Sequence, residues 1–361
     1  MLQSYSKREN KRGAIQLKIK AGIIGCGSIA KLRHAPEYQA NPYVSEIVFY
    51  DRNRERAQAL SDLFEGSVAE TLEELLDDPT IQVISDCSSN ESHHIFSSQA
   101  LLSGKHVLCE KPIALTVEHA EQIIEAQRKS GKKLMVDHNQ RLTRAHQMAK
   151  EIITNNQLGE VLTFRTTFGH SGPEKWGVNK TNSTWFFKKD RSGFGVAGDL
   201  GIHKIDLLQY LLDDEIEQVN AMQGALDKVD KDGNPIEVCD NIVCVLKTKQ
   251  GRIGTAAFSW TYYGEEDNST TIYCRNGILK IYNNPAYQIE VITNEGERIN
   301  YQLETIQTND NQMNSGVIDA FIDSVRLDQE PIVTGQDALA SLKVVLGIIE
   351  AAETGNSVTI A

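Results

Sequence analysis

Four apolar residues, Ala21-Gly22-Ile23-Ile24, run directly into Gly25-Cys26-Gly27-Ser28-Ile29-Ala30, and an acidic residue, Asp51, closes the next strand-like stretch. A strand buried on both faces reads as a continuous apolar run rather than an alternation. In a G-x-G-x-x-[GA] turn the first glycine permits the tight bend and the second lets backbone approach a ligand. The helix that follows offers free N–H groups to an anion. With 26 glycines in 361 residues, chance alone supplies roughly two G-x-G pairs, so context has to decide. Gly193-Phe194-Gly195-Val196-Ala197-Gly198 matches the glycine spacing more strictly, yet it follows Lys188-Lys189-Asp190-Arg191, which is no buried strand. The first run has the strand before it and a helical pattern after it. Asp51 lies 21 residues beyond Ala30, close to the separation of about 20 at which a carboxylate reaches a ribose hydroxyl. A Rossmann domain is therefore expected, holding a dinucleotide through Gly25, Gly27, Ser28, Ile29 and Ala30, with Asp51 on the ribose. A carboxylate there accepts from a 2′-hydroxyl and repels a 2′-phosphate, which points to NAD. Arg52 beside it, a guanidinium able to pair with that phosphate, keeps NADP as the second reading.

The pattern downstream extends that domain. Short apolar strands at 46–50, 81–85, 105–108 and 133–136 alternate with helical stretches at 54–64, 93–103 and 117–129. Such alternation argues for βαβ units and a doubly wound parallel sheet. The regime ends near residue 140. Strand-like segments then dominate, at 161–168, 217–223, 237–248, 252–261, 269–274 and 278–282, separated by turn pairs such as Asp232-Gly233, Gln250-Gly251 and Asn276-Gly277. Meandering strands of this kind suit a largely antiparallel sheet. Two helices, about 312–327 and 336–354, close the chain. The expected division is a basic extension over 1–17, a dinucleotide-binding domain over 18–140 and an α/β substrate and oligomerisation domain over 141–361. The closing helices are free to pack back on the first domain.

Composition narrows the partners. The chain carries 37 Lys and Arg against 49 Asp and Glu, a formal charge of −12, so a phosphate backbone is repelled on average and no nucleic-acid partner is expected. No uncharged apolar run approaches the roughly 20 residues of a membrane-spanning helix, and no membrane partner is expected. Cys26, Cys87, Cys109, Cys239, Cys244 and Cys274 include no C-x-x-C pair. They read as buried free thiols in a reducing cytoplasm, with no metal site. Residues 1–17 hold Lys7, Arg8, Lys11 and Arg12 against Glu9 without a following apolar stretch, unlike a secretory signal.

Three further segments carry chemistry: Ser88-Ser89-Asn90-Glu91-Ser92-His93, Glu110-Lys111-Pro112 and Asp199-Leu200-Gly201-Ile202-His203. Glu110-Lys111-Pro112 follows a strand, where doubly wound sheets place ligands, and Pro112 biases Lys111 toward an extended backbone. Asp199 and His203 lie about 40° apart on a helix starting near Leu200, with Asp199 placed to act as its N-cap. Together with the glycine turn, in this order, these segments resemble the Gfo/Idh/MocA oxidoreductases, over nearly all of residues 18–361. The resemblance implies an N-terminal Rossmann domain, a C-terminal α/β domain on an open, mainly antiparallel sheet, and hydride transfer between a nicotinamide cofactor and a hydroxyl of a sugar, cyclitol or related polyol.

It also implies roles. Lys111 would contact cofactor and substrate hydroxyl, His203 would take the hydroxyl proton, and Asp199 would bind substrate or orient the imidazole. Ser88, Asn90, His93, Glu110 and Gln140 would border the cofactor, Gln140 standing where relatives often carry arginine. His138 and Asn139 belong to the crossover between domains and would reach substrate. The individual stretch 170–198 holds His170, Trp176, Trp185, Phe186 and Phe187. It reads as a pocket wall, a subunit contact or a packed lid, with His170 assigned to substrate and Trp185 to the cofactor. Lys204 follows His203 where many members have an acidic residue, a change that matters little if the side chain points to solvent, and His94 is expected on a solvated helix face. The leading expectation is an NAD(P)-dependent dehydrogenase acting as a homodimer or homotetramer. A non-catalytic dinucleotide sensor and a sugar enzyme with no net redox change are its alternatives.

Overall fold

The chain is represented by a computed structural model describing residues 18–176, 180–303 and 314–361. The basic segment 1–17 and the start of the helix expected from 312 lie outside the described residues. The N-terminal part builds a six-stranded sheet from β1 (Ile19–Ile24), β2 (Val44–Tyr50), β3 (Ser67–Val68), β4 (Ile81–Asp86), β5 (His106–Cys109) and β6 (Leu134–Val136). Its spatial order is β3-β2-β1-β4-β5-β6, and every pairing is parallel. Because β1 has β2 on one side and β4 on the other, the direction of winding reverses beside it. Ligands of doubly wound sheets settle at the carboxyl ends of the strands flanking such a reversal.

A nine-stranded sheet follows, formed by β7 (Val161–Gly169), β8 (Ile216–Gly224), β9 (Asn241–Thr248), β10 (Ile253–Ser259), β11 (Thr270–Cys274), β12 (Gly277–Asn284), β13 (Tyr287–Thr293), β14 (Arg298–Tyr301) and β15 (Val358–Thr359). Its order is β14-β13-β12-β11-β7-β10-β9-β8-β15. Among the described residues only β7 and β10 run parallel, from Thr163 opposite Ile253 to Gly169 opposite Ser259. That one parallel pair brings two carboxyl ends, and the residues just beyond them, to the same edge of an otherwise antiparallel sheet. Strands β13, β14 and β15 were not expected from the sequence.

Helices Arg144–Thr154, Ile202–Leu212 and Gly335–Thr354 cover one face of this sheet. Gly335–Thr354 starts at a capping box of Thr334 and Asp337 and ends at Gly355 in the left-handed conformation, as helix boundaries favour. Its first turn also packs on Leu134 and Ile124 of the N-terminal part. Helix Val317–Arg326 packs on the other face of the first sheet, burying Val317, Ile318, Phe321 and Ile322 with Ile19, Ala21, Ile23 and Phe49. Both closing helices thus touch the dinucleotide-binding half.

Candidate active site

The turn after β1 is built as the glycine spacing requires. Gly25 has φ +88°, and a Cβ there would lie 2.6 Å from the carbonyl oxygen of Cys87 at the end of β4. A Cβ on Gly27, by contrast, would meet nothing within 4 Å among the described residues. The first glycine is needed by the fold, and the second leaves an open stretch of backbone facing the cleft. Asp51 beyond β2 accepts from the Cys26 amide (2.8 Å) and the Asn53 amide (2.8 Å), so its carboxylate is fixed against the turn. An open backbone, a helix start and a fixed carboxylate at the switch point fit the pyrophosphate and ribose of a dinucleotide.

The cleft above these strand ends holds about 380 Å³ and is walled by both halves of the chain. Gly25, Gly27, Ser28, Ile29, Asp51 and Arg52 line one end. Ser88, Asn90, His93, Glu110, Lys111, Asn139 and Gln140 line the cleft as well, and so do His170, Trp185, Asp199 and His203. Two expected residues are off the wall. Ala30 is fully buried beneath the turn. His138 is buried behind His203, ring edge toward ring face at 6.2 Å, because the short helical turn Asn139–Leu142 offers Asn139 and Gln140 to the cleft instead. From the stretch 170–198, Trp176, Trp185 and Phe186 line the cleft, and Trp185 stacks on Phe186 at 4.0 Å.

At the centre, Lys111 Nζ donates to Oδ1 of Asp199 (3.1 Å) and to its carbonyl oxygen (2.9 Å). The Lys111–Pro112 peptide is cis. Asp199 does not cap a helix. It sits inside a π-helical turn, Ala197–Gly201, which runs on into helix Ile202–Leu212, and its carboxylate is used by Lys111 and by Trp260 Nε1 at 3.0 Å. His203 follows one turn later. Burial, then the charge of Lys111, holds its imidazole well below the ordinary value, so the ring is neutral near pH 7. Among the described residues its buried Nδ1 has no hydrogen-bond partner. His170 is also pushed down, by burial, and its Nδ1 lies 3.1 Å from the Gly172 amide.

Beneath Lys111, Glu110 meets two residues that the sequence did not single out, His34 and Asp137. His34 Nε2 is 2.9 Å from Glu110 Oε1 and 3.6 Å from Asp137, and Glu110 Oε2 accepts from the Lys111 amide. Burial opposes a charged His34, but Cys87 and then the carboxylates of Asp137 and Glu110 outweigh burial and raise it. Burial, then the charge of Glu110, pushes Asp137 up to about 6. Ligand atoms of the three lie within 4.8 Å of one another, close enough for a metal. The imidazole already bridges the two carboxylates, and the cluster supports the backbone of Lys111. His93 acts similarly: its ring nitrogens face the carbonyl oxygens of Pro112 (2.8 Å) and Ser88 (3.2 Å), joining the two cleft loops.

Neither Lys204 nor His94 sits on an open solvated face. Lys204 is fully buried, its Nζ donating to Asn268 O (2.9 Å) and Thr270 Oγ1 (3.3 Å) on the neighbouring strand region. Burial lowers its pKa to about 7. His94 is half-buried and stacks face to face on His119 at 3.6 Å.

A family model described as an oxidoreductase family with an NAD-binding Rossmann fold matches residues 19–138, and a Gfo/Idh/MocA C-terminal domain model matches residues 146–280. The chain belongs to the Gfo/Idh/MocA oxidoreductase family. It is 33% identical over 206 residues to the D-glucoside 3-dehydrogenase of Escherichia coli (strain K12), covering 56% of this chain and 57% of that relative. It is 26% identical over 302 residues to the 1,5-anhydro-D-fructose reductase of Ensifer adhaerens, covering 82% and 84%. A solved levoglucosan dehydrogenase, in complex with NADH and levoglucosan, has the same fold with a TM-score of 0.84 at 22% identity, over 95% of this chain and 99% of that one. As a member of this oxidoreductase family, the chain has an NAD-binding Rossmann half and a C-terminal half that completes the cleft.

Proposed function

We propose that this chain transfers hydride between NAD and a carbon bearing a hydroxyl in a sugar, cyclitol or related polyol. The observation that carries the reading is the meeting of Lys111, Asp199 and His203 in one cleft that runs on to the dinucleotide-binding turn. Bound nicotinamide would supply the hydride acceptor. Lys111, with two N–H groups on Asp199 and a third left over, would donate to the substrate oxygen and favour its developing negative charge. Neutral His203 would accept the hydroxyl proton as the carbonyl forms. A secondary alcohol and NAD⁺ would give a ketone, NADH and a proton. His170 and Asn139, both on the cleft wall, would meet substrate, and Trp185 would meet the cofactor. The names of the relatives, all acting on carbohydrate-like molecules, support the substrate class. Asp51 supports NAD over NADP.

The test is NADH formation with the purified chain across a panel of glycosides, free sugars, inositols and linear polyols. Saturable absorbance at 340 nm with any of them supports the reading. Tight NAD binding with no reduction across the panel would leave a dinucleotide sensor. Product release without NADH accumulation would point to chemistry with no net redox change.

We further propose self-association through the outer face of the second sheet. Met222, Val243, Val245 and Ile253 are exposed there, and Met222 pairs with Val243 across β8 and β9. Exposed apolar patches of this kind mark contact surfaces. Light scattering on Val243→Glu should show smaller particles than the wild type. All six cysteines are free and buried, which suits a reducing, cytoplasmic setting. No helix of the described residues is long and apolar enough to cross a membrane.

A further inference from the structure

We infer that Trp260 is a positioning residue for the hydride-transfer site: its indole N–H fixes the carboxylate of Asp199, and through it the ammonium of Lys111. The inference rests on the function proposed above. Trp260 follows β10 directly, and the parallel pairing of β10 with β7 delivers it to the same sheet edge as His170. The His170 amide donates to Ser259 O (3.0 Å) and the Trp260 amide to Asp240 O (2.8 Å), so the backbone at this edge is anchored on both sides. The Trp260 side chain is fully buried. Among the described residues its Nε1 has one acceptor, Asp199 Oδ2 at 3.0 Å.

The two donors to the Asp199 side chain divide it between them. Lys111 takes Oδ1 and Trp260 takes Oδ2, so rotation of the carboxylate about its Cβ–Cγ bond breaks both hydrogen bonds at once. A buried carboxylate oxygen without a donor is costly, and hydrogen bonds to charged groups are the stronger ones. Without the indole N–H, Asp199 keeps a single side-chain anchor, the flexible Lys111. The ammonium then loses its fixed aim at the substrate oxygen, the kind of misplacement that costs rate rather than binding. Phe186 and Phe187 pack on Trp260 at ring distances of 6.5 Å and 6.1 Å, so the aromatic cleft wall in turn holds the indole in place.

The test combines Trp260→Phe, which keeps the ring and removes the donor, with Asp199→Asn. With the best substrate found, Trp260→Phe should lower kcat roughly tenfold while leaving KM for NAD nearly unchanged, and its melting temperature should fall, since the smaller ring and the undonated Asp199 oxygen both cost stability. In the Asp199→Asn background the same substitution should change kcat less than twofold, since residues acting through one another are not additive. A Trp260→Phe enzyme with wild-type kcat, or one losing tenfold in both backgrounds, would overturn the inference. A readout without turnover keeps it separate from the proposed function. The chain has three tryptophans, so three indole N–H signals are expected in a proton–nitrogen spectrum, and Trp260→Phe identifies one. That signal should shift on Asp199→Asn and exchange slowly with solvent. An unmoved, fast-exchanging signal would sink the inference even in an active enzyme, and a shifted one would sustain it even if no sugar were turned over.

Discussion

Arg141 grips Asp206 with two parallel hydrogen bonds, Nε to Oδ2 at 2.8 Å and Nη2 to Oδ1 at 2.7 Å, and both side chains are buried. Arg141 leaves the crossover between the two halves, and Asp206 lies one turn beyond His203 on helix Ile202–Leu212. The pair therefore ties the helix carrying His203 to the segment that lines the cleft with Asn139 and Gln140. Arg141 Nη1 adds the carbonyl oxygen of Ile332, 3.4 Å away in the segment before the last helix.

Removing one partner strands a buried charge, which costs about 3–5 kcal/mol, whereas the intact pair is near break-even against an apolar replacement. Arg141→Met and Asp206→Leu should each lower the urea midpoint strongly, and the double variant should recover much of the loss. Equal, additive losses would show that the two side chains do not act as a pair.

Lys111→Met and His203→Gln should fold and bind NAD within a few-fold of wild type while losing roughly 10²–10⁴ in kcat, the range for positioned proton-transfer groups. Burial and the Lys111 charge hold His203 neutral, so the acid limb of the kcat profile should fall below the free imidazole value of about 6.5. Because Lys111 is one cause of that depression, Lys111→Met should move the limb upward in its residual activity. A limb at or above 6.5 in the wild type would remove His203 from the proton-accepting role.

The two glycines of the first turn should separate fold from binding. Gly25→Ala places a side chain at positive φ against the Cys87 carbonyl and should cost about 1–3 kcal/mol of stability. Gly27→Ala meets open space and should leave the melting temperature within about a degree, while NAD affinity drops roughly tenfold, about 1.4 kcal/mol. Calorimetry of NAD binding beside thermal melts checks both. A Gly27→Ala chain with unchanged affinity would mean that the cofactor does not approach the backbone there.

Five of the six strands of the first sheet were legible because they are short, apolar and punctuated by glycine, and because Asp51 falls where the second must end; the two-residue β3 was not expected. Lys111, Asp199 and His203 were legible as an ordered set. Their contacts were not: Asp199 sits where a cap residue would be expected, and only the close approach of β10 through Trp260 shows what its second oxygen does. Trp260 continues the buried alternation of Ala256 and Phe258, which in sequence is indistinguishable from an ordinary core strand. His34 and Asp137 are 103 positions apart in the chain and meet only because β1, β4, β5 and β6 lie side by side. Strands β13 and β14 do alternate, as Gln288-Ile289-Glu290-Val291 and Arg298-Ile299-Asn300-Tyr301, a signal that the sequence expectations passed over; β15, two residues long, is defined by its pairing with β8.

Lys204 is the clearest case of tertiary structure overriding local reading, and it makes a prediction of its own. In His203-Lys204-Ile205-Asp206 a lysine reads as the solvent side of a helix, yet its ammonium is fully buried against Asn268 O and Thr270 Oγ1. Burial lowers its pKa to about 7, whereas in the unfolded chain it returns to about 10.4. Between those values the unfolded state binds more protons than the folded one, so this lysine's contribution to stability falls as pH drops from about 10.5 toward 7. Lys204→Met keeps most of the volume and removes the titration. The stability of the variant relative to wild type, from urea unfolding, should therefore be most favourable near pH 7 and decline toward pH 9.5, by a sizeable part of the roughly 1.4 kcal/mol carried by each unit of pKa shift. A difference that stays constant across that range would show that the folded protein holds Lys204 charged throughout, with the two oxygens on the neighbouring strand region compensating its burial in full.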